Sequence, residues 1–370
     1  MFDFLPEFLR TPVAFVLVLS VLVFVHELGH YLAARWCGVH VETFSIGFGR
    51  AIASWTDRHG TLWKVAWIPL GGFVKLHGQE HPEDVTDEVK AGWQPGRTFH
   101  EKRVGARALV VAAGPAANFL LAAVLFAALF ATMGRQVALP VVGEVVPGSA
   151  AARAGIAVGD RIEAIDDTPI TRFEQIQRMV SASAGQTLHL QVQSGGAARE
   201  IAVTPDVRDN GGRPVGILGV RGSQIEYEPV ALWAAIPAGI AQTWDVSVQT
   251  LAGIWQMLSQ NRGTEDLGGP LRIAQLSGQV AQLGAASLVS FIALLSVNLG
   301  LINLFPIPIL DGGHLLFYLA EAVRGRPLPP RAQEYGLRAG LALLVSLFVF
   351  ATWNDLTHIG LFRWVAGMIG

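Results

Sequence analysis

PVAFVLVLSVLVFVHELGHYLAARW, residues 12–36, is the stretch on which the architecture turns. About fourteen apolar residues lead up to His26, and the whole run is near the roughly 20 residues needed to cross a bilayer's hydrocarbon layer. Three ionisable groups, His26, Glu27 and His30, then fall within little more than one helical turn. Such groups inside a membrane span are costly and are usually there for function. His26 and His30 are four apart, so on a helix they share a face and can offer two neutral imidazoles to one metal. Glu27 stands beside them, within reach of a water at that metal. This is the HExxH arrangement of metalloproteases, with the glutamate as general base. Arg10 before the run gives it the look of a signal peptide. HELGH, however, stands where a small-residue cleavage site would have to be, so the segment is expected to be retained.

The rest of the 370 residues fits a membrane setting. Charged residues are 15% of the chain and hydrophobic ones 51%, against about 25% charged in ordinary globular chains. Three more stretches, roughly 105–132, 287–305 and 337–353, have span-like length and composition. A net charge of -2 gives no reason to expect nucleic acid as a partner, and the single cysteine, Cys37, excludes a disulfide within the chain. Arg35, Arg50, Lys102, Arg103 and Arg107 flank the segment 35–104, and Arg324, Arg326, Arg331 and Arg338 crowd 321–338. The positive-inside rule places both segments in the cytoplasm and 133–286 outside.

A catalytic zinc normally has three protein ligands, and the best candidate for the third is Asp311 in NLFPIPILDGGHLL, 303–316. Pro306 and Pro308 break the helix before it. Irregular backbone at membrane depth survives only when buried in protein or lining a wet cavity, so the break can bend Asp311 toward the first span. Asn303, just before the break, could hold substrate backbone or water, or satisfy groups freed by Pro306. In GPAAN, 114–118, Gly114 permits close helix packing, while Asn118 could hydrogen-bond across helices or face the cavity. Residues 43–77 alternate strand-like pieces with glycines. A substrate helix must unwind before it can be cut, and an exposed strand edge could hold it by main-chain bonding. The piece 62–76 is the candidate, with Gly71 and Gly72 making a turn or a close approach.

Residues 141–205 read as a compact module: alternating strands at 187–193 and 200–204, turns at Gly159-Asp160 and Asp166-Asp167, and a helix at 173–182. In 231–258, Leu232, Ile236, Ile240, Trp244, Val248, Leu251 and Trp255 recur at helical spacing. They predict an amphipathic helix on the membrane surface, or one packing that face against the protein.

Taken together, these motifs resemble the site-2 protease family of intramembrane zinc metalloproteases, and within it the bacterial regulator-of-sigma-E type. HELGH matches the family's first metal motif and NLFPIPILDGG, 303–313, its second. The resemblance implies His26, His30 and Asp311 as ligands of one Zn2+, Glu27 as the catalytic glutamate and Asn303 as a substrate contact. GFG at 47–49 and PLGGFVKLHG at 69–78 resemble the family's membrane re-entrant β-hairpin, which implies substrate contacts at Gly71, Gly72 and Phe73. VVGEVVPGSAAARAGIAVGDRIEAIDD resembles the opening of a PDZ domain, and there is room for one where well-known relatives carry two.

The expected protein is therefore a polytopic α-helical membrane protein with about four transmembrane helices, membrane-associated β-hairpins and one inserted extracytoplasmic PDZ-like domain. The expected divisions are an N-terminal membrane part (1–132), a periplasmic PDZ-like domain (133–210), a periplasmic linker with the amphipathic helix (211–286) and a C-terminal membrane part (287–370). The implied setting is the bacterial inner membrane. The implied activity is regulated intramembrane proteolysis of single-span proteins, such as an anti-sigma factor already trimmed by a site-1 protease, or of remnant signal peptides, with membrane lipids as surroundings. The competing readings are the same chemistry on a different dedicated substrate, and a PDZ-bearing scaffold with a non-catalytic metal site.

Overall fold

The computed structural model describes residues 6–79, 85–209, 214–222, 224–259 and 269–358. In chain order the elements are α1 Glu7–Trp36, β1 Val41–Thr56, β2 Leu62–Leu76, α2 Asp87–Ala91, α3 Val104–Met133, β3 Arg135–Ala138, β4 Val142–Val145, α4 Ala150–Arg153, β5 Arg161–Ile165, β6 Thr168–Pro169, α5 Phe173–Ala182, β7 Leu188–Ser194, β8 Ala197–Val203, β9 Asp206–Asp209, β10 Pro214–Ile217, β11 Val220–Gly222 and β12 Ile225–Glu228. Five helices follow: α6 Leu232–Ser259, α7 Pro270–Gln282, α8 Ala285–Asn303, α9 Asp311–Arg324 and α10 Pro330–His358. Four of the helices, over Phe8–Trp36, Val104–Met133, Ala285–Asn303 and Arg331–Thr357, are long and apolar enough to cross a membrane.

The chain divides into two compact units, one of 1–129 with 233–370 and one of 130–232. The expected boundary at 210/211 lies outside the described residues. The 130–232 unit has its own core of Val142, Ile162, Ile165, Ile176, Leu190 and Val192, each at most 1% exposed. Its largest sheet has the order β6-β5-β7-β8. Alternation along β7 (Leu188, Leu190 and Val192 buried) points one face at that core, as a period of two requires. Asp160, 2% exposed, accepts from the Ala157 N–H and from Arg199, each at 2.9 Å.

In the other unit, α1 is the shared element. Its first half packs Ala14, Val18 and Leu22 against Ala281, Leu288 and Ile292 of α7 and α8. Its second half packs Tyr31, Ala33 and Ala34 against Phe44, Leu76 and Val110. β1 and β2 form one long antiparallel hairpin. Both strands bend, so Thr43–Ile46 are registered with Leu62–Val65 and also with Gly72–Lys75, which leaves 72–76 paired on one side alone among the described residues. The hairpin is tied to α1 through Asp57, which accepts from Tyr31 Oη (3.1 Å), Trp63 Nε1 (3.0 Å) and the amides of His59 and Thr61. Burial alone would raise this carboxyl, but those four donors hold it down at about 2.

Helix α6 differs from the expectation of a helix that buries its apolar stripe. Leu232, Ile236, Ile240, Trp244, Val248, Leu251 and Trp255 are all exposed, and the buried face is the small and polar one: Ala235, Thr243 and Ser247. A Cβ at Gly239 would stand 2.4 Å from the Ala123 carbonyl oxygen, so α6 and α3 nearly touch there. Further along α6, Thr250 Oγ1 bonds Asn298 Oδ1 of α8 at 3.1 Å. Ser296, close to Asn298 on the same helix, donates to the Asn118 carbonyl at 2.8 Å. α6 thus runs beside α3 and α8 down to the level of Asn118 and does not lie across their ends.

Candidate metal and catalytic site

The site is built from α1, α3, β2 and the start of α9. His26 and His30 project from one face of α1, and their Nε2 atoms are 3.2 Å apart. Asp311 Oδ2 lies 3.2 Å from His26 Nε2 and 3.5 Å from His30 Nε2. Asp311 gets there because α8 ends at Asn303 and the chain turns through Pro306 and Pro308 before α9 begins at Asp311 itself. Gly312 and Gly313 permit the turn to be this tight. A Cβ on either would stand within 2.3 Å of the Leu304 or Ile307 carbonyl oxygen, so larger residues would push α9 and its first carboxylate away.

Two contacts aim the imidazoles. His30 Nδ1 is 2.9 Å from the Val110 carbonyl oxygen, an acceptor that fixes the proton there and leaves Nε2 to bind a metal. His26 Nδ1 is 3.1 Å from the side-chain amide of Asn118, which is fully buried. Asn118 Oδ1 has no hydrogen-bond partner among the described residues. Rotating that amide by 180° satisfies it and supplies the acceptor that a metal-binding His26 needs at Nδ1. Gly114 sits where the rings meet α3: a Cβ there would lie 2.3 Å from His30 Nε2 and 2.9 Å from His26 Cε1. Its role is room for the imidazoles, which is narrower than helix packing in general.

The three donor atoms fit a metal. Zinc held at about 2.0–2.2 Å in a tetrahedron separates its ligand atoms by roughly 3.3–3.6 Å, close to the triangle seen here. Asp311 Oδ2 is buried with no hydrogen-bond donor among the described residues, an arrangement that is costly unless a cation satisfies it. With three protein donors, a fourth position is left for water or substrate, as in catalytic sites.

Glu27 lines the same cavity of about 530 Å³, together with Gly72, Phe73, Val74, Asn303 and His314. Val74 and Glu27 face the same cavity wall. A Cβ at Gly72 would lie 2.8 Å from Val23 Cγ1 and 3.3 Å from Glu27 Cγ, so this glycine brings the strand against α1 at the glutamate. Gly71 is absent from the cavity wall. It has φ +116°, and a Cβ there would meet the Phe48 ring at 2.7 Å, so it shapes the bend from behind. Phe73 stacks on Phe48 with centroids 6.2 Å apart. Asn303 lines the cavity from the end of α8.

Some participants were not foreseen. Val110 contributes a backbone carbonyl, which leaves no mark on residue type. Arg107, counted above among the orientation charges, is buried and paired with Glu321 at 2.6 Å at the edge of the cavity. Two residues so far apart along the chain cannot be paired from spacing. Cys37 is half-buried, its Sγ 3.9 Å from the Ala106 carbonyl.

Comparison with known proteins agrees with this chemistry. The model of peptidase family M50 matches residues 14–347. A zinc-metalloprotease candidate of Rhizobium meliloti is 43% identical over 359 residues, covering 93% of this chain and 96% of the relative. Metalloprotease MmpA of Caulobacter vibrioides is 39% identical over 394 residues, covering 98% and 99%. The regulator of sigma-E protease RseP of Salmonella typhimurium is 31% identical over 448 residues, covering 94% and 98%. The chain belongs to peptidase family M50, the site-2 protease family. It is a zinc metalloprotease, and its apolar helices make it an integral membrane protein. The alignment with RseP is 448 positions long, of which 94% of this chain can fill only about 350, so roughly a hundred positions of the relative have no counterpart here.

Proposed function

We propose that this protein is an intramembrane endopeptidase that cuts transmembrane segments of single-span proteins, with one zinc ion held by His26, His30 and Asp311 and with Glu27 as general base. The observation that carries the reading is the convergence of those three donor atoms, within 3.2–3.5 Å of one another, beside Glu27 on a helix long enough to span the membrane. When bound, zinc supplies Lewis acidity to the attacking water and to the scissile carbonyl. Glu27 takes the proton of that water and returns it to the leaving nitrogen. Asn118 and the Val110 carbonyl hold the two imidazoles in the tautomer that presents Nε2.

The cavity-facing strand 72–76 supports a substrate role for Gly72 and Phe73. With one side lacking a partner strand among the described residues, it can add an unwound substrate segment by main-chain bonding. Asn303 faces the same space and can hold a substrate carbonyl. Gly71 acts indirectly, through the bend. The 130–232 unit is assigned as the single PDZ-like domain on the periplasmic side, with the active site toward the cytoplasm, following the basic flanks of 35–104. Full-length likeness to RseP favours an anti-sigma factor trimmed by a site-1 protease as substrate, within regulated proteolysis at the inner membrane; remnant signal peptides are the other substrate class.

Metal analysis of purified protein, paired with a cleavage assay, tests this. The wild type should carry one zinc per chain and cut a single-span reporter. Asp311→Ala should lose both zinc and cleavage, and Glu27→Gln should keep zinc and lose cleavage. Zinc retained in the triple variant His26→Ala, His30→Ala, Asp311→Ala would place the metal elsewhere.

A further inference from the structure

We propose a second binding site in this protein, at the end of α1 remote from Glu7: a pocket that takes the phosphate of an anionic phospholipid headgroup. Arg35, Gly38, Val39, His40, Val41, His59, Thr61 and Arg97 enclose about 130 Å³. That is room for about four water volumes, suited to a phosphate and too small for an acyl chain. Two of the walls, Arg35 and Arg97, are cationic, and burial together with Arg97 holds His40 toward its neutral form. Among the described residues, no carboxylate lines the pocket. Asp57 and Glu42 stand close by: Asp57 accepts from the amides of the pocket residues His59 and Thr61, and Glu42 is paired with Lys75 and His77, each at 2.8 Å.

The pocket is held open by main-chain bonds that fix its walls. The His40 N–H donates to the Arg97 carbonyl at 3.0 Å, joining two segments far apart in sequence. Thr61 Oγ1 donates to the Val41 carbonyl at 2.9 Å. Gly60, at φ +83°, lets the turn close on the His40 ring: a Cβ there would sit 3.3 Å from Cε1. The carbonyls of Ala33, Ala34 and Arg35 at the end of α1 accept from Cys37, Val39 and Gly38, which caps these acceptors; the negative end of the helix dipole remains, and the two arginines have to outweigh it.

Position decides between a lipid and a free anion. The span Phe8–Trp36 has 29 residues, which rise about 43 Å, more than the roughly 30 Å of hydrocarbon. That excess leaves length for the last turn to reach the headgroups. Trp36, beside Arg35, is 82% exposed, as tryptophans at the membrane–water interface are. Basic pockets at this level bind lipid headgroups. The site lies outside the catalytic cavity and does not depend on the chemistry proposed there.

The test is lipid binding to the full-length protein in detergent, followed by native mass spectrometry during titration with phosphatidylglycerol, phosphatidylcholine or inorganic phosphate. Phosphatidylglycerol should bind the wild type with a defined stoichiometry. Its affinity should fall about fivefold in Arg97→Gln and more than tenfold in Arg35→Gln/Arg97→Gln, since each cation near an anionic headgroup is worth roughly that factor. Arg324→Gln/Arg326→Gln removes the same charge elsewhere and should change nothing. Arg97 is exposed, so its single variant reports even if the double variant unfolds. Equal phosphatidylglycerol binding in wild type and Arg97→Gln would overturn the proposal. So would equal loss in the Arg324/Arg326 control, which would mean diffuse surface charge. Tight binding of inorganic phosphate with no preference for phosphatidylglycerol over phosphatidylcholine would overturn the lipid assignment.

Discussion

Single residues carry most of what is specific to this site. His26, Glu27 and His30 were readable because three ionisable groups inside an apolar run are too costly to keep unless something such as a metal compensates them. Asp311 was readable because proline-broken backbone at membrane depth must face something polar. What the sequence left open was the purpose of Gly114 and Asn118. Both belong to the imidazoles: one gives them room and the other holds His26 at Nδ1. Asn118→Ala should therefore weaken zinc binding about 10–100-fold, the usual cost of removing a partner behind a metal ligand. Gly114→Ala should do at least as much, because its Cβ would stand 2.3 Å from His30 Nε2. Both are checked by competition with a zinc chelator of known affinity. A Gly114→Ala protein that binds zinc like the wild type would show that α3 yields at this point.

Among the elements, the four long helices were legible by length and hydropathy, and the hairpin by its glycine-punctuated strands. The orientation of α6 was not. Period 3.6 reveals that a helix has an apolar stripe, but the stripe faces the core in water and the lipid in a membrane. Here Ala235, Gly239, Thr243 and Ser247 make the protein contact, as small residues do between membrane helices, and Trp244 is 69% exposed at a level between the Ala123 and Asn118 contacts. The tryptophan should sit among acyl chains. In bilayers of brominated lipid, the fluorescence lost in Trp244→Phe should be quenched more by bromines deep in the chain than by bromines near the headgroup. The reverse order would put α6 on the membrane surface.

For the whole molecule, the chain forms one compact unit of 1–129 with 233–370 and a second of 130–232. The 130–232 unit has a separate core, and its stability should respond to acid through Asp160. Burial works against that carboxylate, but the Ala157 amide, the Ser194 side chain and Arg199 outweigh it and lower its pKa. A group depressed in the folded state stabilises above the unfolded carboxyl value of about 4 and loses that contribution as pH falls through its folded value. Asp160→Asn should cost roughly 1–2 kcal/mol at neutral pH. The difference from wild type should shrink as pH falls below the unfolded carboxyl value and through the lower folded one, as followed by thermal unfolding of the full-length protein. A difference that does not change as the solution is acidified would assign the effect to packing. Long-range pairings such as Arg107 with Glu321 lay beyond the sequence, because nothing local connects α3 to α9.

The most direct measurement is the position of the cut. A single-span reporter reconstituted in liposomes with the full-length enzyme would be analysed by fragment mass, beside the same preparation carrying Glu27→Gln. The account predicts new termini inside the reporter's apolar segment with the wild type and none with the variant. Fragments ending only outside that segment, or equal cutting by Glu27→Gln, would contradict it.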